Sequence, residues 1–437
     1  MTLIEQVKQA GVVGAGGAGF PTHVKLAAKV EWYLANGAEC EPLMHKDREL
    51  MTHFAPQILK GLQLAAAQTG AVKTAVGVKK KNAAAVEALK QTTDGRPQIV
   101  LFEDYYPAGD EYELVYTCTG RLIPPQGLPL DVGCVVNNVE TLYQIAMAAE
   151  GKPVTDKFMT VTGLVKRPLT AWFPIGMPVK EVLAAAGGVT QTPFAVMESG
   201  LMMGRLMQDL EQPITKTTGG LIVLPEEHPL IQRYRRTPRE MDRIGHSACD
   251  QCSYCTELCP RYLLGYDVQP HLVMRSLGFT ALGKEIWNRH ALLCCQCGLC
   301  TLYACPEMLY PREACVKGMN ELRAVGKGKW DGFKSVKPHL TKEARRVPVK
   351  LLMQRLGVSR YEAEAHFEPL ELRPKRVVLP LKQHVGVPAE PVVQPGERVR
   401  RGQFVARIPE EKLGANLHAS IDGKIIAVTN HEIVIEA

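Results

Sequence analysis

The sequence contains no long apolar run and no recognisable nucleic-acid-binding motif, and these absences exclude several classes of protein. No stretch of its 437 residues reaches the roughly 18 consecutive apolar residues of a membrane-spanning helix, so we expect no membrane span. Met1 to Val7 lacks the basic segment that precedes the apolar core of a secretory signal. The net charge is only +7, and the basic residues of 233–243 and 327–350 lie beside no RNA or DNA motif, so nucleic acid is not an expected partner.

Length and composition are those of a globular protein with several domains. A chain of 437 residues has room for two to four domains, each with its own core. Apolar residues make up 46% and charged residues 22%, which are ordinary values for such proteins. The composition therefore leaves the function to be found in local patterns.

Cysteine is abundant, and its spacing carries the strongest chemical signal. Eight of the 13 cysteines fall into two runs, each closed by a Cys-Pro pair. The first run has the C-x2-C-x2-C-x3-C-P spacing of bacterial ferredoxins, and the second has one extra residue in its last gap. The first run consists of Cys249, Cys252, Cys255 and Cys259, and the second consists of Cys294, Cys297, Cys300 and Cys305.

This spacing predicts two 4Fe–4S clusters with crossed ligands. Three thiolates two residues apart wrap one cluster, and the fourth cysteine of each run commonly ligates the other cluster. We call the predicted ligand sets site A (Cys249, Cys252, Cys255 and Cys305) and site B (Cys294, Cys297, Cys300 and Cys259). Zinc and disulfides are the alternatives, but zinc runs usually pair one C-x2-C with another or with histidines. Cys295 falls outside the spacing and is predicted to be a packed bystander, and reduced thiols indicate a cytoplasmic protein.

A second signal is the glycine-rich segment near the N-terminus. Five glycines occur in the nine residues from Gly11 to Gly19, and a helix is predicted over 23–29. Glycine lets the backbone approach a ligand closely, and a glycine loop that leads into a helix is a candidate phosphate site. A glycine run by itself is equally a feature of simple turns.

The first 150 residues alternate between strand and helix patterns. This alternation predicts a parallel sheet covered by helices. The residues from Asn36 to Pro42 follow the first predicted strand, at the end of a parallel sheet where ligands usually bind. The predicted elements are a strand over 31–35, a helix over 49–68, a strand over 71–78, a helix over 82–91 and a strand over 98–102.

Three separated segments carry a resemblance to a known family. Gly14 to Lys25, Asn36 to Pro42 and Val136 to Leu142 resemble the FMN-binding subunit of respiratory complex I and, more closely, the RnfC-type subunit of the Rnf electron-transport complex. The resemblance implies an FMN-binding α/β domain that exchanges electrons between a nicotinamide and iron–sulfur clusters. It implies flavin contacts at Gly14, Gly16, Gly17, Gly19, Lys25, Asn36, Glu39, Asn137, Asn138 and Thr141. It also places Glu41 and Glu111 as catalytic positions at the nicotinamide, with Phe20, Tyr106 and Gly109 nearby.

The sequence departs from complex I at three positions of this domain. Complex I subunits have arginine, aspartate and an aromatic residue where Ala15, Ala38 and Ala28 stand. The implied flavin site is thus kept, whereas the implied contact with the NADH adenine is weaker. A structural α/β domain without a flavin is the alternative.

The remaining segments resemble further modules of the same family. Residues 158–225 resemble the soluble-ligand-binding β-grasp domain, and its methionines (Met197, Met202, Met203 and Met207) are predicted to be core residues. Residues 375–437 resemble biotinyl and lipoyl carrier domains, a barrel-sandwich fold, but no lysine occupies the hairpin tip at 420–423. This module is therefore predicted to be structural or a docking surface.

The order of these modules resembles that of the cobalamin reductases of propanediol-utilisation microcompartments. That resemblance implies electron transfer from NADH through FMN and two 4Fe–4S clusters to cobalamin, inside a microcompartment, with an adenosyltransferase and a shell protein as partners. An RnfC-type subunit of an ion pump, or an electron-relay protein without nicotinamide chemistry, is the alternative. The expected α/β multidomain chain comprises an FMN/NADH domain (1–157), a β-grasp domain (158–230), a two-cluster ferredoxin domain (231–326), a linker with a helix (327–374) and a barrel-sandwich domain (375–437).

Overall fold

The computed structural model describes residues 1–93, 95–278 and 284–437. In chain order it contains an α/β domain, a β-grasp domain, a helical cysteine-bearing domain and a barrel-sandwich domain. The predicted multidomain α/β class is confirmed. Within these described ranges no helix is both long and apolar enough to cross a bilayer.

The α/β domain is built on a four-stranded parallel sheet in the order β3-β2-β1-β5. Its strands are β1 (Trp32–Gly37), β2 (Lys73–Lys79), β3 (Gln98–Phe102), the short β4 (Tyr105–Tyr106) and β5 (Cys134–Asn138). Its helices are α1 (Leu3–Gln9), α2 (Thr22–Leu26), α3 (Lys46–Thr69), α4 (Ala83–Thr92), α5 (Glu111–Thr119) and α6 (Val139–Ala149). In the register of β1 and β5, Asn36 lies opposite Asn138, so two polar side chains meet at one end of the sheet.

Two boundaries of the sheet differ from the sequence prediction. Strand β1 runs to Gly37, so Asn36 belongs to the strand instead of following it. Strand β5 was not predicted, because its Val-Val pair runs directly into the helix pattern of α6. Helix α3 was predicted, but it bends at Phe54, close to Pro56, which has no N–H to donate to the preceding turn.

The bend of α3 places one aromatic side chain where three parts of the chain meet. The ring of Phe54 contacts Phe158, Trp172 and Phe367 with centroid distances of 6.1, 6.1 and 5.3 Å. Phe54 comes from the α/β domain, the next two come from the β-grasp domain, and Phe367 comes from the segment after the cysteine domain. Edge-to-face packing of this kind stabilises the junction beyond simple burial.

The β-grasp domain forms a mixed sheet in the order β7-β6-β10-β8-β9 with one helix. Its elements are β6 (Asp156–Gly163), β7 (Leu169–Pro174), α7 (Val179–Ala185), β8 (Phe194–Glu198), β9 (Arg205–Leu206) and β10 (Gly220–Pro225). Met197 and Met202 are fully buried and Met207 packs against the core, whereas Met203 is 59% exposed. The exposed Met203 is thus the one methionine of the predicted set that stands outside the core.

The cysteine-bearing domain is helical, as its sequence predicts. Its helices are α8 (Pro229–Arg235), α9 (Pro238–Ala248), α10 (Tyr254–Glu257), α11 (Pro260–Leu263), α12 (Pro270–Ser276), α13 (Lys284–Asn288) and α14 (Pro311–Ala324), with a π-helical turn at Cys300–Ala304. The predicted linker after this domain lies against the α/β domain. Val347 of β11 (Val347–Pro348) pairs with Tyr106, and Lys342 forms a buried ion pair with Glu113 at 2.7 Å. The predicted helix follows as α15 (Val349–Leu356).

The barrel-sandwich domain contains two small sheets and shares a hydrophobic core with the α/β domain. Its strands are β12 (Arg376–Pro380), β13 (Glu390–Pro391), β14 (Arg398–Val399), β15 (Phe404–Arg407), β16 (Leu417–His418), β17 (Gly423–Val428) and β18 (Glu432–Glu436). One contiguous core runs from Leu50 and Ile58 of α3 to Ile425 and Ile435. The hairpin tip is not free either, because buried Ser420 donates its hydroxyl to the carbonyl oxygen of Ile175 at 2.5 Å.

Candidate functional site

The candidate site is a cavity of about 930 Å³ enclosed by four domains, which we call the central cavity. Its walls include the glycine loop and strand ends of the α/β domain, residues 198–219 of the β-grasp domain, Cys295 and Cys297, and residues 382–385 of the barrel-sandwich domain. Small-molecule sites have volumes of roughly 300–1,000 Å³ and favour the carboxyl ends of parallel strands. The central cavity meets both criteria.

The glycine loop is a closed turn held in place from behind. The N–H of Gly14 donates to the carbonyl oxygen of Phe20 at 2.9 Å, and the N–H of Gly19 donates back to Gly14 at 3.1 Å. Gly16 and Gly17 line the central cavity, whereas Gly14, Gly19 and Phe20 do not. The loop therefore presents backbone to the cavity at its tip only.

Thr141 positions this loop without lining the cavity. Its buried hydroxyl oxygen accepts a hydrogen bond from the N–H of Ala15 at 2.9 Å. The carbonyl oxygen of Ala15 accepts a bond from buried Lys157 at 2.9 Å, and Lys157 also forms an ion pair with Glu140. Two buried contacts thus fix the peptide groups next to the tip.

The strand ends separate the predicted asparagines by function. Asn36 and Asn138 line the central cavity, and Asn36 donates to the carbonyl oxygen of Gly109 at 2.9 Å. Asn137 is buried and donates to the hydroxyl of Tyr33 at 2.7 Å, away from the lining. Side chains alternate between the two faces of a strand, so neighbours 137 and 138 cannot both face the ligand side.

Two acidic residues meet at the base of the cavity. Asn138 donates to Asp47 at 2.7 Å, and the N–H of Asp47 donates to the carboxylate of Glu39 at 3.1 Å. Burial, followed by the nearby charge of Asp47, raises the pKa of Glu39 well above its usual range. Asp47 also pairs with buried Lys46 at 2.5 Å. Lys46 and Asp47 were missed at the sequence level, because they lie in the first turn of a long helix with no motif.

The carboxylate of Glu41 is held by the β-grasp domain. It accepts bonds from the N–H groups of residues 201, 202 and 203 at 3.0, 2.9 and 2.9 Å. Gly200 allows this approach, because its φ is +125° and an added Cβ would stand 2.4 Å from the Glu41 carboxyl carbon. Burial raises the pKa of Glu41 to about 7 despite these bonds. Glu41 therefore joins two domains across the cavity wall.

The other predicted residues lie around the opposite wall. Glu111, Tyr106 and Gly109 line the central cavity. Lys25 donates to the carbonyl oxygen of Val136 at 2.8 Å and lies 3.9 Å from the Glu111 carboxylate. Burial lowers the pKa of Lys25 and raises the pKa of Glu111. Lys25 thus supports the wall next to Glu111 without being part of the lining.

The barrel-sandwich domain supplies a wall that the sequence did not predict. The N–H of Val385 donates to Gly19 at 2.9 Å, and the side chain of Gln383 accepts a bond from the N–H of Lys216 at 3.0 Å. Gly19, with φ +65°, lies so close to this segment that an added Cβ would stand 3.3 Å from the Cα of His384. Lys382 is exposed at the cavity. No local motif marks these residues, because they reach the cavity only through the packing of two distant domains.

Lys382 differs from the other strong bases that line the central cavity. Lys46 pairs with Asp47, and Arg205 pairs with Glu198 at 2.5 Å. Within the described ranges, Lys382 has no ion pair. It is therefore the cavity cation left available to an anionic group.

The cysteines of site A lie together at one cavity, as the crossed assignment predicts. Cys249, Cys252, Cys255 and Cys305 all line it. Burial, with the nearby Cys305, Cys249 and Cys252, raises the pKa of Cys255 to about 12. Cys252 is exposed, so this site lies close to the surface.

Site B is deeper and adjoins the central cavity. Cys259, Cys297 and Cys300 are buried, and the nearest charged influence on Cys259 after its burial is Cys294, which raises its pKa. The hydroxyl of Tyr106 donates to the carbonyl oxygen of Cys297 at 2.6 Å. Cys295 lines the central cavity beside Cys297 instead of lying in a core. The donor sets of both sites are all thiols, which fits 4Fe–4S clusters.

Four family descriptions match successive parts of the chain. They are the Nuo51 FMN-binding domain (residues 7–147), the SLBB domain (158–206), the 4Fe-4S dicluster domain (248–310) and the RnfC barrel sandwich hybrid domain (361–437). The chain therefore has an FMN-binding domain followed by a 4Fe–4S dicluster domain. The matches leave the exact domain boundaries and the individual site residues as predictions.

Similar proteins cover nearly the whole chain. It is 43% identical over 432 residues to "Cobalamin reductase PduS" of Salmonella typhimurium, spanning 99% of this chain and 95% of that protein. It is 41% identical to "Cobalamin reductase PduS" of Citrobacter freundii, spanning 99% and 96%. Over 267 residues it is 38% identical to the RnfC-type component of the Na(+)-translocating ferredoxin:NAD(+) oxidoreductase complex of Acetobacterium woodii, spanning 59% and 58%.

Proposed function

Because the chain belongs to the PduS cobalamin reductase family, we propose that it is an NADH-dependent oxidoreductase that reduces cob(III)alamin to cob(II)alamin. Its cofactors in this proposal are FMN in the central cavity and 4Fe–4S clusters at sites A and B. One NADH carries two electrons, so it reduces two molecules of cob(III)alamin and releases one proton. Further reduction to cob(I)alamin is the corresponding second step.

The observation that carries this proposal is that one cavity is shared by the flavin elements and a cluster ligand. Gly16 and Gly17 lie in one wall of the central cavity, and Cys297 lies in another. When bound, a flavin exchanges electron pairs with a nicotinamide and single electrons with iron–sulfur clusters. The chain itself supplies the enclosure and the orientation.

We propose distinct tasks for the residues of the cavity. The backbone of Gly16 and Gly17 and the amides of Asn36 and Asn138 bind the flavin, and Glu39 accepts hydrogen bonds at its polar edge. Thr141 and Asn137 hold the loop and the strand from behind.

The nicotinamide is proposed to bind at a second wall. Glu111 faces this part of the cavity, and Glu41 fixes the β-grasp loop that closes it. Lys382 pairs with a phosphate, because it is the cavity lysine without a carboxylate partner among the described residues.

Anaerobic reconstitution tests this function. The protein is loaded with iron, sulfide and FMN until about eight irons and one FMN are counted per chain. We expect NADH to reduce hydroxocobalamin, followed by its absorbance change, in the absence of oxygen. No reduction by fully loaded protein would refute the proposal, and about four irons per chain would refute the pair of clusters.

A second candidate is an electron-input component of an ion pump. It is favoured by the 38% identity with the RnfC-type component of the Acetobacterium woodii complex, although that match spans only 59% of this chain. Association with membranes only in the presence of integral partner subunits would favour it. An electron-relay protein is distinguished by stopped-flow mixing, because its flavin would not be bleached by NADH.

The setting of the reaction is proposed from the same family. We place the protein in a bacterial microcompartment, where an adenosyltransferase consumes the reduced cobalamin and a shell protein retains the enzyme. Co-purification of both partners with the tagged protein from intact microcompartments is the expected result. Recovery of the protein without either partner would contradict this setting.

A further inference from the structure

A second cavity, of about 740 Å³, lies on the other side of the site B loop, and we call it the side cleft. It is enclosed by α8, α9, α14 and the β-grasp loop at Met203 and Gly204. Met203 and Gly204 also line the central cavity, so a single loop separates the two spaces. Nothing in the proposed cofactor assignment occupies the side cleft.

The loop of site B runs between the two cavities. Cys295 and Cys297 face the central cavity, whereas Gln296 between them faces the side cleft. The φ of Gln296 is +60°, a left-handed conformation that turns its side chain away from those of its neighbours. Thr301 and Leu302, which follow the ligand Cys300, also line the cleft. A molecule in the side cleft would therefore adjoin a cluster-binding loop from the face opposite the flavin.

The charges of the side cleft leave two arginines without an acidic partner. Its carboxylates are already engaged: Asp242 pairs with Lys317 at 2.5 Å, Glu313 pairs with Arg312 at 2.6 Å, and Glu321 accepts a bond from Asn288 at 2.9 Å. Arg233 and Arg236 form no ion pair among the described residues. The cleft is therefore suited to an anion.

An aromatic ring holds these two arginines together. Their guanidinium carbons lie 5.1 and 5.9 Å from the ring centroid of Tyr310, within the range of cation–π attraction. Arg233 is fixed further, because it donates to the carbonyl oxygens of Thr301 and Leu309 at 2.9 and 3.1 Å. Arg236 remains exposed and free to bind. Met203, Met241 and Leu302 add apolar surface for a large organic ligand.

We propose that the side cleft binds the cobalamin substrate, with Arg236 contacting the phosphodiester of its nucleotide. This inference rests on the proposed function for the identity of the ligand. Cobalamin combines a broad, largely apolar ring system with one phosphodiester anion, which matches a cleft of apolar side chains and a free arginine. A free nucleotide shares the phosphate chemistry and is the competing source.

Direct binding tests this assignment without relying on turnover. Hydroxocobalamin is titrated into the oxidised, reconstituted protein and its bound fraction is measured by ultrafiltration. We expect Arg236→Gln to weaken binding by about tenfold or more, since it removes a charge-assisted contact. Arg239→Gln is the matched control, because Arg239 lies on α9 outside the cleft lining.

Two further ligands distinguish the sources of the phosphate. Cobinamide, which lacks the nucleotide, is expected to bind weakly to the unchanged protein and to be insensitive to Arg236→Gln. Equal affinity of both arginine variants, or equal affinity for cobinamide and cobalamin, would overturn the proposal, and so would displacement of cobalamin by equimolar adenosine monophosphate. Arg236-dependent binding without any NADH-driven reduction would refute the proposed function and leave the binding site standing.

Discussion

Tyr106 of the flavin domain donates its hydroxyl to the backbone carbonyl oxygen of Cys297, a predicted ligand of site B, across 2.6 Å. Tyr106 is 2% exposed, and burial raises the pKa of its hydroxyl well above the usual range, so the donor remains protonated at all working pH values. This bond joins the wall of the central cavity to the loop that wraps the deeper site.

The Tyr106→Phe substitution tests how far this bond holds the site B loop. Removing the hydroxyl leaves a buried carbonyl oxygen without this donor, and we expect a loss of about 1 kcal/mol in stability. Iron should be lost from the reconstituted protein several-fold faster in the presence of a chelator. Tyr112→Phe removes a similar bond, to Gly127 at 2.7 Å, away from the cysteine loops and should leave the iron loss unchanged. Equal rates for both variants would mean that the bond does not secure the loop.

The Cys305→Ser substitution tests the crossed ligation. Cys305 lies in the cavity of the first cysteine run, so this change should damage the cluster at site A and spare the cluster at site B. Iron content should fall towards about four per chain, and electron paramagnetic resonance should lose one of two reduced-cluster signals. Cys295→Ser, which changes a cysteine outside both sets, should keep both signals. Loss of the site B signal in Cys305→Ser would contradict the assignment.

Glu41 predicts a specific pH dependence of stability. Burial raises its pKa to about 7 in the folded protein, whereas an unfolded glutamate titrates near 4.3, as a rough reference value. Between these values the folded state holds a proton that the unfolded state has released, so the contribution to stability falls as pH rises and levels off above about 7.

The Glu41→Gln variant lacks this titration. Its denaturation midpoint should rise relative to the unchanged protein as the pH is raised from about 5 to about 7. The exposed Glu410→Gln variant provides the control and should follow the unchanged protein. Parallel curves for Glu41→Gln and the unchanged protein across this range would show that Glu41 is already ionised below pH 5.

Lys382 predicts that the barrel-sandwich domain contributes to nucleotide binding. Lys382→Ala should weaken FMN binding three- to tenfold, an effect of about 1 kcal/mol for an exposed charged contact. Riboflavin, which lacks the phosphate, should bind both proteins alike in a fluorescence titration. Lys412→Ala, an exposed lysine of the same domain, should behave as the unchanged protein.

A contrasting pattern would identify the phosphate differently. An unchanged FMN affinity with a raised KM for NADH would assign Lys382 to the pyrophosphate of the dinucleotide. No change in either quantity would remove Lys382 from the site.

The sequence predicted those parts of the site that depend on local spacing. The convergence of Cys305 with the first cysteine run follows from a rule of chain geometry that holds whatever surrounds it. The tip of the glycine loop and Asn36 lie at the cavity, because the carboxyl ends of parallel strands meet at one edge.

The parts that were not predicted depend on packing between distant residues. Asn137 and Asn138 looked equivalent in sequence, but the unpredicted strand β5 directs them to opposite faces. Lys382 and Gln383 carry no motif and reach the cavity only because two domains share a core. Glu41 was predicted at the nicotinamide, but its anchoring by three N–H groups depends on a loop of another domain.

The core shared by α3 and the barrel-sandwich strands has a consequence for biogenesis. A ribosome releases the flavin domain first and Ile425 and Ile435 last, so the nascent chain lacks part of its apolar core and one wall of its cavity until synthesis is nearly finished. The nucleotide can be enclosed only after that point. Cofactor loading is therefore a late maturation step, and a ribosome that stalls before the final strands leaves an apolar face of α3 open to chaperones and proteases.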